Sequence, residues 1–181
     1  MKLEIFFDYL CPFCEMGHSY WCELLPRHPE IEPVWRPCEA HPRAEEPGGR
    51  HSDLAIQGAL FVRESGADER AYHDAVFSAC YDQGADIEDT QVLAACAVSA
   101  GAEKAAFLQA LESGAYAAAQ RECDRYAYGE KQVQGCLLIS SPTADGQTLS
   151  SASACRAISW RRFSRRRENP LTGKFLSKSI F

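Results

Sequence analysis

The chain has 181 residues, 46% of them hydrophobic, which suits one domain with a substantial core and an inserted subdomain but is cramped for two independent domains. Its formal charge of −6 hides an asymmetry: residues 1–135 carry 11 Lys/Arg against 23 Asp/Glu, whereas residues 136–181 carry 8 against 2. No stretch reaches the roughly 20 apolar residues of a membrane span, no small-residue cleavage site follows the N-terminal apolar run, and nine cysteines are too sparse and odd in number for a secreted disulfide scaffold, so the sequence reads as cytoplasmic.

In chain order, Leu3, Ile5, Phe6 and Phe7 predict a buried strand. Residues 12–25 predict a helix, with proline in the first turn and Pro26 and Pro29 to stop it. Cys11-Pro12-Phe13-Cys14 therefore falls on a strand-to-helix turn, where a C-x-x-C pair points to redox chemistry. The attacking species is a thiolate, and the positive end of a helix dipole favours it. Cys11 is the expected nucleophile, and Cys14, about one turn inside, the expected resolving thiol. Asp8 is expected to cap the turn, with a proton relay to the dithiol as the alternative.

Cys14, His18 and Cys22 share one helix face. Cys14 and Cys22 would be about 12 Å apart along a straight helix, too far to bind one tetrahedral ion, so no metal centre is expected there. Haem attachment is disfavoured too, because Glu15 stands where C-x-x-C-H needs histidine.

Residues 30–37 predict a second strand, completing a β-α-β unit, and residues 41–52 a surface loop rich in proline, glycine and charge. From Asp53 onward the pattern is helical, over 53–64, 69–82, 89–100, 103–112 and 115–129, with Gly66, Gly84, Gly101 and Gly114 at the ends and Asp68, Asp89 and Ser113 as caps. Leu60, Phe61, Tyr72, Val76, Phe77, Leu93, Phe107, Leu108 and Leu111 are expected on the packed face. Cys80, Cys96 and Cys123 read as small buried hydrophobes, and His51 and His73 as surface or hydrogen-bonded structural residues. Residues 136–140 and 147–150 predict two further strands joined at Asp145-Gly146.

An ordered set of segments runs through this pattern: Phe-Asp-Tyr-Leu-Cys-Pro-Phe-Cys at 7–14, Val34-Trp35-Arg36-Pro37, Tyr72-His73-Asp74-Ala75, Gly84-Ala85-Asp86-Ile87, Leu111-Glu112-Ser113-Gly114-Ala115-Tyr116 and Val133-Gln134-Gly135. On these residues the chain resembles the DsbA-like branch of the thioredoxin superfamily. It is near the cytoplasmic FrnE-type members and more distant from the kappa-class glutathione transferase and 2-hydroxychromene-2-carboxylate isomerase group. The resemblance implies an α/β fold, a thioredoxin-like core with an inserted all-helical subdomain. Residues 1–52 would be the first half of the core, 53–130 the insertion, and 131–181 the remainder with an atypical basic C-terminal segment.

The activity implied is thiol-disulfide exchange with protein or small-molecule thiols and disulfides, without a cofactor and with glutathione as a candidate co-substrate. In the isomerase and transferase group a serine commonly stands at the Cys11 position, so two cysteines favour the oxidoreductase. The alternatives are a glutathione-dependent transferase or isomerase, and a metal-binding or client-holding module. Relatives set their redox poise with the dipeptide between the cysteines. Pro12-Phe13 lacks the histidine of strongly oxidising members, which implies a couple in the range of about −200 to −230 mV.

Relatives continue the Val-x-Gly segment into a proline beside the dithiol, in the cis form. Here Gly135 is followed by Cys136, and Leu137 stands in the proline's place. Gly135, Cys136 and Leu137 are thus expected to shape substrate binding in an altered way, and adventitious zinc or iron at Cys11 and Cys14 is less well excluded. Family pattern, charge and composition all change near residue 136. This favours a changed reading frame over a solvated closing helix, and either over a nucleic-acid-binding tail built on Arg161, Arg162, Arg165, Arg166 and Arg167.

Overall fold

The computed structural model describes residues 2–133 and the backbone of two short strands, Leu138–Ser140 and Thr148–Ser150. Strand β1 (Lys2–Phe7), helix α1 (Pro12–Leu24), a 3-10 turn (Leu25–Arg27) and strand β2 (Glu32–Pro37) form the expected β-α-β unit. β1 and β2 are parallel, in register from Lys2 opposite Glu32 to Phe7 opposite Pro37. β3 (Leu138–Ser140) pairs antiparallel with β1, and β4 (Thr148–Ser150) with β3, giving the order β2-β1-β3-β4. The two late strands fall where the sequence pattern puts them. Their Asp145-Gly146 connection, the segment Gly135-Cys136-Leu137, Cys155 and the Arg-rich stretch 156–167 lie outside the described residues.

β1 lacks a clean alternation because both of its faces are covered. Phe7 packs with Tyr9, His18, Trp35, His73 and Phe77 on one side. Phe6 turns to the other side, against Cys38, Ala127, Val133 and the Tyr126 ring. A run of consecutive apolar residues thus holds the strand between two layers.

The helical stretch consists of α2 (Asp53–Ser65), α3 (Glu69–Tyr81), α4 (Thr90–Ser99), α5 (Lys104–Glu112) and α6 (Ala117–Asp124). Asp68 and Asp89 cap α3 and α4 through Ala71 N–H and Gln91 N–H. Two expectations fail at the end of this stretch. Ser113 is not a helix-starting cap: it ends α5, and its hydroxyl donates to Ala110 O, while Glu103 caps the start of α5. The helix expected over 115–129 stops at Asp124 and gives way to a π-helical turn, Arg125–Glu130. The wider turn carries the Tyr126 hydroxyl to Glu4, to whose Oε1 it donates at 2.9 Å, and sets its ring on Phe6 at 6.0 Å.

One apolar core runs from the β-α-β unit into the helices, joining Leu3, Ile5, Phe7 and Trp35 to Ile56, Tyr72, Phe77, Leu93 and Phe107. Of the side chains expected on the packed face, Tyr72, Val76, Phe77, Leu93, Phe107 and Leu111 are buried, while Leu60, Phe61 and Leu108 are partly so. Residues 41–50 are largely exposed, but His51 and Ser52 close the loop from a buried position. His51 and His73 are both buried and hydrogen-bonded rather than at the surface. Cys96 is buried, while Cys80 and Cys123 are only half-buried. No helix among the described residues is long and apolar enough to cross a membrane.

Candidate functional site

β1 delivers the chain into the turn Asp8-Tyr9-Leu10, and α1 starts directly after Cys11. Cys11 is itself the helix N-cap, with extended backbone (φ −91°, ψ 116°), and Pro12 opens the first turn without losing a needed N–H. The N–H of Cys14 donates to Cys11 Sγ at 3.3 Å, the place an oxygen occupies at an ordinary cap. An ionised sulfur makes this bond stronger than a neutral one, and the helix dipole adds to it.

Cys14 lies one turn inside and is fully buried, whereas Cys11 retains 6% exposure. The N–H of Asp8 donates to Cys14 Sγ at 3.5 Å. Between the cysteines, Pro12 and Phe13 face solvent, Phe13 with 57% of its surface exposed. The arrangement is a thiol at the rim of a helix start, a second thiol beneath it, and an apolar platform alongside.

Asp8 is buried and caps the turn. One carboxylate oxygen accepts from Leu10 N–H (2.9 Å) and the other from Ala40 N–H (2.8 Å), tying the dithiol turn to the segment after β2. There Cys38 N–H donates to Phe7 O (2.8 Å) and Glu39 N–H to Asp124 Oδ1 (2.7 Å). Asp124 also accepts from Gln120, yet burial, with Glu39 and Asp8 nearby, raises its carboxyl to about 6. Glu39 in turn holds His51 Nδ1 at 2.8 Å. Burial lowers the proton affinity of His51, but the Glu39 carboxylate and the His41 carbonyl more than offset it and leave it raised.

Sequence reasoning missed a second support. Tyr9 is fully buried and donates its hydroxyl proton to His73 Nδ1 at 2.6 Å. His73 Nε2 donates to Glu69 (3.3 Å), Glu69 pairs with Arg63, and Arg63 Nη2 donates to the Trp35 carbonyl at 2.8 Å. Burial lowers His73, so it is the neutral tautomer with its proton on Nε2; burial raises Tyr9, so its hydroxyl keeps the proton it donates. The chain of bonds runs from the dithiol turn through α3 and α2 back to β2. The signal available beforehand was a tyrosine placed in an otherwise buried run, with His73 at a core-facing position of α3.

Tyr81, near the end of α3, was also missed. Its ring stacks on Phe77 at 6.5 Å, and its hydroxyl is raised by burial first and then by Cys80, Cys11, Asp8 and Cys14. The other described thiols are less suited to attack. Burial pushes Cys38 up to about 12 and Cys22 up to about 11, and raises Cys80, Cys96 and Cys123 as well. Cys22 sits with His18 and Asp74, and Cys38 with Phe6, Ala127 and Val133, so the two are not partners.

The model of the DSBA-like thioredoxin domain matches residues 2–136. Among curated proteins, the uncharacterized protein YwbO of Bacillus subtilis (strain 168) is 27% identical, over 74% of this chain and 82% of its own. The cytosolic disulfide reductase DsbM of Pseudomonas aeruginosa has a similar structure, with a TM-score of 0.68 at 15% identity, covering 92% of this chain and 98% of that one. A 2-hydroxychromene-2-carboxylate isomerase gives a TM-score of 0.67 at 16% identity, covering 95% and 100%. At these identities the two structures speak for the fold, an α/β architecture of thioredoxin type with added helices.

Proposed function

Because the chain belongs to the DSBA-like thioredoxin domain family, we propose that it is a thiol-disulfide oxidoreductase working through Cys11-Pro12-Phe13-Cys14. The observation that carries the proposal is the position of Cys11 as the N-cap of α1, accepting the Cys14 N–H, with Cys14 buried beneath it. In the reducing direction the Cys11 thiolate attacks one sulfur of a substrate disulfide. A Cys11–substrate disulfide forms and the other substrate sulfur leaves as a thiolate. Cys14 then loses its proton to that thiolate or to water and attacks Cys11 Sγ. The second substrate thiolate leaves, and the chain holds a Cys11–Cys14 disulfide, two electrons richer in the substrate and two poorer in the protein. Exposed Pro12 and Phe13 give an extended peptide an apolar surface next to the nucleophile.

Thiol reductants restore the dithiol by the reverse sequence, and glutathione is the proposed co-substrate. Support comes from the absence of histidine between the cysteines and from the DsbM structure solved with GSH. A cytoplasmic, FrnE-type role fits the same set of features. Residues 53–130 are proposed as an insertion between residues 1–52 and 131–181 of a thioredoxin-like domain. Cysteine rather than serine at position 11 favours exchange over isomerisation.

An insulin-reduction assay with glutathione as the reductant tests the proposal. The wild-type chain is expected to accelerate insulin precipitation, Cys11→Ser to reduce the rate to background, and Cys123→Ala to leave it unchanged. Acceleration that survives Cys11→Ser contradicts the proposal.

A further inference from the structure

α1 carries a second reactive cluster beyond the dithiol. His18 and Cys22 are four residues apart on one face of the helix, and α3 brings Asp74 against them. His18 Nε2 is 2.6 Å from Asp74 Oδ1, Cys22 Sγ is 3.5 Å from His18 Nε2, and Cys22 Sγ is 3.7 Å from Asp74 Oδ1. One nitrogen, one sulfur and one oxygen thus lie within 4.8 Å of one another.

These spacings compare closely with a tetrahedral metal centre. Bonds of about 2.0–2.1 Å to nitrogen and oxygen and about 2.3 Å to sulfur place nitrogen and oxygen about 3.3 Å apart, and sulfur about 3.6 Å from either. Both sulfur edges already match. The nitrogen–oxygen edge must open by about 0.7 Å, and the side chain that has to move is Asp74, which is 46% exposed. His18 stays where it is, packed among Phe7, Trp35, His73 and Phe77, and its Nδ1 has no hydrogen-bond partner among the described residues. All of the ring's polar contact is directed through Nε2 toward Cys22 and Asp74. Arg70 approaches the second Asp74 oxygen at 4.0 Å, leaving Oδ1 for the cluster.

We propose that His18, Cys22 and Asp74 bind a thiophilic divalent cation, zinc above all, with a water at the solvent-facing fourth position. Neutral imidazole, one thiolate and one carboxylate balance the charge of such an ion, and the Cys22 proton leaves to solvent on binding. The sequence pattern had set a metal aside because Cys14 and Cys22 are too far apart. The third ligand comes instead from another helix, so bound metal fastens α1 to α3. The site uses neither Cys11 nor Cys14 and stands whether or not the chain exchanges disulfides.

The test starts from the full chain carrying Cys11→Ser and Cys14→Ser, so that the dithiol cannot supply thiolates. Titration with Co2+ is expected to give a thiolate-to-metal charge-transfer band that saturates at one equivalent and is displaced by Zn2+. Adding Cys22→Ala should abolish the band, and Asp74→Asn should weaken Co2+ binding at least about tenfold, as loss of a metal-supporting group does. Zn2+ should also raise the thermal midpoint of the parent and not that of the Cys22→Ala variant. A missing band, or one that persists unchanged with Cys22→Ala or Asp74→Asn, overturns the assignment.

Discussion

At the scale of single residues, the dithiol turn is held by buried, hydrogen-bonded groups. Tyr9 shows this most clearly. Replacing it with phenylalanine leaves buried His73 Nδ1 without a donor, and an unsatisfied buried group costs about 1–3 kcal/mol. Urea denaturation should register that loss for Tyr9→Phe, and unchanged stability would remove Tyr9 from the support. Asp124 gives a pH signature. Its folded carboxyl sits at about 6, above the usual 3.8, so the folded state holds this proton more tightly. The stability it contributes is therefore complete below the unfolded value and is lost as pH rises through about 6. Asparagine cannot ionise and keeps an acceptor for Glu39 N–H. Asp124→Asn should thus gain on the wild type by on the order of 1–2 kcal/mol between about pH 4 and 7, after allowance for partial exposure. Equal pH profiles for the two chains would contradict this. Cys11, Cys14 and Asp8 could be picked out from spacing alone, since a C-x-x-C pair at a strand end is a local signal. Tyr9 and His73 could not, because each takes its meaning from the other, on a different element.

Elements were the most legible level, for a physical reason. Helices α2, α3 and α5 each have an apolar stripe and α4 is apolar nearly all round, and each is punctuated by its own stop, as at Gly66, whose φ of +76° ends α2 in a left-handed turn. Where local and tertiary demands diverged, the pattern misled. The final helix reads as regular through residue 129, but Tyr126 is drawn to Glu4 and Phe6 and the backbone widens into a π turn. Gly58 is a second such place. Within α2 it reads as a weak point, yet a Cβ there would lie 2.2 Å from the Tyr72 hydroxyl and 2.8 Å from the Phe107 ring. Alanine gains about 1 kcal/mol of helix propensity, but overpacking costs about 1–3 kcal/mol. It also displaces the Tyr72 hydroxyl from its bond to Ala55 O (3.1 Å). Tyr72 and Phe107 are fully buried and have no room to retreat. Gly58→Ala should therefore lower the urea midpoint, and a midpoint at or above that of the wild type would show that the helices can separate without loss.

For the whole molecule, the β-α-β unit and the helices are not two bodies but one core. Asp8 reaches Ala40, and Tyr9 reaches through His73, Glu69 and Arg63 to Trp35, so the dithiol turn is braced from both layers. Such bracing keeps Cys11 at the helix start and Cys14 beneath it, the geometry on which the proposed division of labour rests. The single measurement that tests this most directly is peptide mapping, by mass spectrometry, of each cysteine variant after reaction with a disulfide-bonded peptide. Cys14→Ser is expected to accumulate a mixed disulfide at Cys11, and Cys11→Ser to accumulate none at Cys14. Trapping at Cys14, or equally at both positions, would contradict the account.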